Sequence, residues 1–360
     1  MILNGEPVTS QILEGIEEVE VTLDDYGRSG FQFAIVATRS EIQSNRFDQL
    51  IAVVPQQEQR LVMSVTFDTD PVVLIDGLII HQELLFDESG ESAVIVITGE
   101  DISIMLDVEE KIKEFATQDE AAIVGEILRD YENYFSAKVV PPDTVITPIQ
   151  DVYLPIQRCT DRVYIEYLAK RYNHRVYVNF KSPKSEFYWG PLVETGGQPD
   201  LLFAPNQFVN VLSLNITYNA LAATKYIASI QDRSTDVISP IDVETATSEA
   251  GSLTTSPAIS KQALVRKVLS TEVDGRLQTE AQAWAQGAVN ASTSVAIIEG
   301  ELDSARYGQP LQPRSSVKLR GAHSAYDGDY YVQKVTHIIK PNSYRQRFVL
   351  TREGIDSASG

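Results

Sequence analysis

A period of two in short, apolar-rich runs constrains this chain more than any other feature. Leu61, Met63, Val65 and Phe67 alternate with Val62, Ser64 and Thr66, and Ala93, Ile95 and Ile97 alternate with Val94 and Val96. Successive side chains of a strand point to opposite faces, so a period of two predicts half-buried strands. Residues 19–23 and 31–37 read the same way, separated by the turn-like run Asp25-Tyr26-Gly27-Arg28-Ser29-Gly30, and a second turn is expected at 87–90. Short strands broken by Gly, Asp and Asn point to a small barrel or sandwich. A second strand-rich region opens near residue 206. There Leu212, Leu214, Ile216 and Tyr218 are expected to face one way and Ser213, Asn215 and Thr217 the other. Further strands are expected at 264–268, 295–302, 317–320, 330–337 and 344–351, with a helix at 279–290.

Between the two β regions the period changes. Ile123, Val124, Ile127, Leu128 and Tyr131 recur at helical spacing, and Thr117-Gln118-Asp119-Glu120 ahead of them fits a capping box led by Thr117. A second helix is expected from Thr160 or Asp161, burying a stripe of Tyr164, Tyr167, Leu168 and Arg171 and ending at Asn173. Pro141, Pro142, Pro148 and Pro155 make the connection between the helices extended, since proline fixes its own dihedral and restricts its predecessor. A strand returns at 174–180. The stretch 235–260 is rich in Ser and Thr, lacks aromatics, Lys and Arg, and reads as a long loop or linker. The order is β region, α/β insert, β region.

Composition sets bounds. A chain of 360 residues exceeds one typical core, and 43% hydrophobic with 22% charged residues is ordinary for a globular protein. One cysteine, Cys159, excludes an internal disulfide framework and a thiolate metal cluster. The first residues carry no basic segment followed by an apolar run, and no stretch approaches a membrane-spanning helix, so membrane insertion is not expected. A net charge of −20 argues against nucleic-acid binding, which relies on Lys and Arg to neutralise phosphates. Charge is also unevenly distributed: 83–120 is strongly acidic and 314–352 is basic.

Nothing in the sequence gathers into a catalytic constellation. His81, His174, His323 and His337 are scattered without metal-ligand spacing. The doublets Glu17-Glu18, Asp24-Asp25 and Glu109-Glu110 are poor acid–base pairs, because neighbours on a strand face apart. Cys159 lies beside Arg158 at a helix start, where a thiol can be activated, but a structural thiol is the default reading. No nucleophile elbow, phosphate-binding loop or dinucleotide fingerprint occurs. The expected site is therefore empty of catalytic, cofactor-binding and metal-binding residues. No cofactor is expected, and the chain is read as a non-enzyme.

Three segments carry a resemblance. Gly99-Glu100-Asp101 is followed by Met105, Glu109-Glu110-Lys111, and a helix opening at Asp119 and ending in Asp130-Tyr131. Ile156-Gln157-Arg158 and Thr160-Asp161 precede Tyr167-Leu168-Ala169-Lys170-Arg171. Val317-Lys318-Leu319-Arg320-Gly321, Gly328-Asp329-Tyr330-Tyr331-Val332 and His337 lead to Phe348-Val349-Leu350-Thr351-Arg352. In pattern and order these segments resemble the baseplate-hub family of contractile phage tails and injection systems, which includes phage late control protein D.

That resemblance implies an α+β, mostly β fold, with two related tube-like β-barrel domains bridged by an α/β insert. The boundaries it implies are a first barrel at 1–98, an insert at 99–205, a second barrel at 206–352 and a tail at 353–360. It further implies a homotrimeric symmetry adapter between a hexameric inner tube protein and a trimeric spike. Such a chain is made in the cytoplasm and works within a phage tail-like particle among other baseplate components. Some relatives continue into a needle. This sequence holds no glycine-valine repeat, so the spike is expected to be a separate protein. In the trimer, the acidic 83–120 region is expected to face the basic 314–352 region of a neighbour, favouring register more than affinity. An alternative is a glycan or cell-wall binding β module, motivated by Tyr188-Trp189 and Tyr330-Tyr331. A hydrolase assembled from distant carboxylates is the remaining class.

Overall fold

The computed structural model describes residues 1–8, 10–38, 59–67, 70–88, 92–145, 147–148, 154–193, 197–203, 208–231, 236–247, 253–254, 257–261, 265–269 and 277–355. The chain is mostly β, as its alternation predicts. Strands β1 (Ile16–Asp24), β2 (Gly30–Thr38), β3 (Arg60–Phe67), β4 (Asp70–Phe86) and β5 (Ser92–Asp101) make up the first region. The alternating residues Val21, Phe33, Ile35, Leu61, Met63 and Ile95 all point into one core. The turn after β1 is set by Asp24, whose carboxylate accepts the amides of Tyr26 (2.9 Å) and Gly27 (3.2 Å). The turn expected at 87–90 falls partly outside the described residues.

In the insert, β6 (Glu110–Glu114) pairs antiparallel with β7 (Ile156–Thr160). Strands β8 (Arg175–Asn179) and β9 (Glu186–Gly190) form a second small sheet with Ser136–Val139. Helices α1 (Glu120–Arg129) and α2 (Asp161–Lys170) close over Phe187 and Trp189 in a second core. Ile123, Val124, Ile127 and Leu128 form the buried face of α1, as the spacing predicts.

Two local details differ. The cap of α1 is Asp119, which accepts the Ala122 amide at 2.9 Å. Thr117 stands two residues earlier at φ 56°, and Glu120 is turned inward to Arg171, so the capping box led by Thr117 does not form. On α2 the stripe is Tyr164, Ile165, Leu168 and Ala169, while Tyr167 is 48% exposed. Thr160 caps α2, and Asn173 at φ 57° ends it, a left-handed conformation that asparagine tolerates. The extended connection expected between the helices is described only in part.

The last region comprises β10 (Val211–Tyr218), β11 (Thr224–Gln231), β12 (Ile238–Val243), α3 (Gln278–Ala291), β13 (Ala296–Asp303), β14 (Ser316–Arg320), β15 (Gly328–Lys340) and β16 (Ser343–Arg352). In β10 a bulge between Val211 and Ser213 makes Val211 the buried residue and leaves Leu212 exposed, against the simple alternation. The run expected as a loop over 235–260 contains β12, with Ile241 and Val243 buried. Its Ser, Thr and Pro content masked a short alternation. Strand Arg266–Leu269 stands near the expected 264–268, of which residue 264 is not described. Strands β11, β12 and α3 build a core of their own around Ile230, Ala281, Ala285 and Val289. The other strands pack around Leu302, Tyr330, Phe348 and Leu350.

One pairing joins the ends of the chain. The largest sheet runs β10-β13-β16-β15-β1-β2-β5-β4-β3, so β15 lies directly beside β1. His337 stands opposite Val21, and Thr336 opposite Thr22, whose hydroxyls meet at 3.0 Å. His337 is fully buried, with Nδ1 2.9 Å from the Tyr344 hydroxyl, and burial pushes its pKa down to about 3. Burial, with Arg175 nearby, likewise lowers His174 to about 4. Both are neutral in the folded state but take up a proton near pH 6.5 when unfolded. Their contribution is therefore complete above that pH and lost as pH falls from 6.5 toward 3. Urea unfolding is expected to show a loss of about 2 kcal/mol from His337 alone between pH 7.5 and pH 5. A midpoint unchanged over that interval would contradict it.

Candidate functional site

The two insert segments that carry the resemblance fold onto one another. Asp161, at the start of α2, is buried and accepts Lys111 Nζ at 2.6 Å, the Tyr131 hydroxyl at 2.7 Å and Gln157 Nε2 at 2.8 Å. Burial and that carboxylate together push the Tyr131 hydroxyl up to about 12. Asp101 caps the 3-10 turn Ile102–Asp107 through the Ser103 amide and also accepts the Ser29 amide at 3.1 Å. Burial opposes ionisation of Asp107, yet the Thr160 hydroxyl and the Arg28 guanidinium hold its carboxyl below the usual range. Gly99 must be glycine, because a Cβ there would lie 2.1 Å from the Phe31 ring and 2.4 Å from the Leu78 carbonyl oxygen. These motif residues therefore form an internal polar scaffold.

A second set of side chains ties the regions together. Asp25, just past β1, is buried and accepts Arg175 Nε of β8 at 2.6 Å across 150 residues. The Arg175 guanidinium also bonds the Tyr26 hydroxyl and lies 4.1 Å over that ring. Arg314 of the last region stacks 4.2 Å over Tyr177 of β8. Burial, and then the Asp25 charge, raise the Tyr331 hydroxyl well above its ordinary value. Asp76 accepts Arg60 through both oxygens at 2.7 Å and the Ser185 hydroxyl at 2.7 Å, fastening the insert to β4. Arg171 pairs with Glu120 at 2.8 Å and lies 4.4 Å over the Trp284 ring of α3. Gly287 of α3 faces the Arg171 carbonyl, where a Cβ would approach to 2.4 Å.

A cleft of about 320 Å³ opens where these regions meet, lined by Arg175, Tyr331, Arg352, Tyr172, Asn290 and Ile259 among others. Both guanidiniums are engaged, Arg175 by Asp25 and Arg352 by the Leu253 carbonyl at 3.1 Å. Sequence reading missed Asp25, Arg175, Arg314 and Arg171 as linking residues. Their partners lie too far along the chain for any spacing to signal them.

The other candidates are dispersed. His81 and His323 are exposed, and among the described residues no group of three His, Cys, Asp or Glu side chains is placed to hold a metal ion. Asp24 and Asp25 turn apart, to Lys334 and Arg175. Burial raises the Cys159 thiol, and the nearby carboxylates Asp161, Glu110 and Asp107 add to this, the reverse of activation. Tyr188, Trp189, Tyr330 and Tyr331 are all buried in cores, so none forms an exposed platform for a sugar. The basic stretch is largely balanced within the chain: Lys334 meets Asp24, Lys340 meets Glu18, Arg345 and Arg347 meet Glu301, and Arg320 meets Asp200. Arg314 and Arg352 are buried. The ion pairs lie at the surface within one chain, and their basic side chains stay 43–62% exposed.

Two measurements check this picture. Asp25→Ala strands a buried guanidinium, and equilibrium unfolding is expected to show a loss of about 3–5 kcal/mol, against almost none for Asp329→Ala at the surface. Cys159 is expected to react with iodoacetamide at neutral pH more slowly than a free cysteine, because its thiolate population is suppressed.

No family model matches the chain, and no curated protein matches it in sequence. Solved structures do match its fold. A 43 kDa tail protein of prophage MuSo2 from Shewanella oneidensis superposes with a TM-score of 0.67 at 13% identity, covering 98% of this chain and 97% of that one. A tail protein from Neisseria meningitidis MC58 gives 0.64 at 11% identity, over 98% and 95%. The E. coli c3393 protein, a type VI secretion component described as similar to the T4 tail proteins gp27 and gp5, gives 0.54 at 14% identity, over 93% and 73%. Over nearly its whole length, this chain has the fold of phage tail proteins and of a type VI secretion component.

Proposed function

We propose that the chain is a structural, non-enzymatic baseplate hub of a contractile tail or injection system. Three copies join a six-fold inner tube to a three-fold spike among the other baseplate components. One observation carries this reading: each chain folds two β regions with separate cores, yet fuses them edge to edge in a single sheet through β1 and β15. Three such chains offer six β units from three polypeptides, which is what a contact between six-fold and three-fold partners needs. The likeness in fold to tail proteins supports the same reading.

Cohesion of the trimer is assigned to apolar burial, as in other obligate assemblies. The outer face of the first region's sheet supplies such a surface: Val36, Val94 and Leu85 stand side by side across β2, β5 and β4, and Leu85 is 47% exposed. Because the basic stretch is paired internally, association is expected to change little between low and high salt.

Native mass measurement and imaging of the purified chain test the proposal. Three chains in a ring with a central hole are expected, and Val94→Glu is expected to give a folded monomer. A wild-type chain that stays monomeric at high concentration would overturn it.

A further inference from the structure

The ribbon formed by β6 and β7 has an open edge whose chemistry nothing above uses. Among the described residues, strand β6 pairs with β7 alone, in the register Glu114 to Ile156 through Glu110 to Thr160. The next pair outward, Phe115 and Pro155, is a bonded one, with the Phe115 amide 2.9 Å from the Pro155 carbonyl. Bonded and non-bonded pairs alternate in an antiparallel ladder. Lys113 and Lys111 are therefore the bonded positions, and the amides and carbonyls of Glu110, Ile112 and Glu114 point away from β7.

The side chains follow the same division. Lys111 and Lys113 turn inward, to Asp161 at 2.6 Å and Glu126 at 2.8 Å. Glu110, Ile112 and Glu114 face solvent, with Ile112 85% exposed and Val108 just ahead of the strand 71% exposed. An isoleucine so exposed, framed by two carboxylates on an unpaired strand edge, is arranged for recognition by strand addition.

We infer that the free edge of β6 docks an extended segment of another protein in the same assembly, added as a third strand. Its side chains on the outer face read basic, apolar, basic at alternate positions. The apolar residue lies against Ile112, and the basic residues stand opposite Glu110 and Glu114. A second copy of this chain is the wrong occupant. Antiparallel self-pairing centred on Ile112 would set Glu110 against Glu114 on one face and Lys111 against Lys113 on the other, and like charges directly opposed are destabilising. The two carboxylates thus exclude acidic strands and the chain's own edge while admitting a basic one. The inference rests on the reading of the chain as an assembly component, and the two fail separately: native mass decides that reading, and peptide binding decides this one.

The test uses the full chain and three fluorescein-labelled peptides. One is centred on Lys-Thr-Ile-Thr-Lys, one on Glu-Thr-Ile-Thr-Glu, and one has the first composition scrambled as Lys-Lys-Ile-Thr-Thr. Fluorescence anisotropy is expected to show saturable binding of the first peptide only. Binding is expected to fall about tenfold in the Glu110→Lys/Glu114→Lys variant. Ile112→Pro is expected to abolish it, because this change removes an outward amide and no bond to β7. The charge-reversal variant keeps the test valid if the proline variant does not fold. Equal binding of the scrambled peptide, binding indifferent to charge reversal, or self-association lost in Ile112→Lys would each overturn the inference.

Discussion

Pairing of β1 with β15 brings together residues more than three hundred positions apart, as the contact between the Thr22 and Thr336 hydroxyls records. Closing so long a loop costs conformational entropy that only extensive burial offsets. Here the return is a single sheet in which two separate cores share one backbone framework. Asp25 follows directly from β1, donates its amide to the Gln333 carbonyl at 3.1 Å, and directs its carboxylate to Arg175 of the insert. A buried charge without a partner is far more costly than a buried pair. The position of the insert is thus tied to the seam between the two β regions.

The acidic character of the insert takes a different meaning once the chain is folded. Asp101, Asp161 and Glu120 are buried and matched by donors, not displayed to solvent. They orient the 3-10 turn, hold β6 and β7 against α1, and couple α2 to α3. The few acidic residues that remain outward on β6 stand on an edge with unpaired backbone, a different physical situation from a solvated helix face.

Much of the local structure was legible in the sequence. Strands such as β1 and β3 and the helix α1 followed from periodicity, because one buried face imposes one period. Local competition explains the departures. Asp119 outcompeted Thr117 as a cap, since Thr117 took up a left-handed conformation in the preceding turn. A bulge shifted β10 by one residue, and a strand hid in the Ser/Thr-rich run because composition outweighed its brief alternation.

By itself the sequence determined the β-rich class and the helical insert. Each is encoded within a window of a few residues or in residue type. Only the tertiary structure decided that β1 joins β15, that Asp25 meets Arg175, that the motif carboxylates converge inside the insert, and that one edge of β6 stays open. Those outcomes depend on which distant faces bury each other, and a burial shared between remote segments leaves no periodic trace in either one.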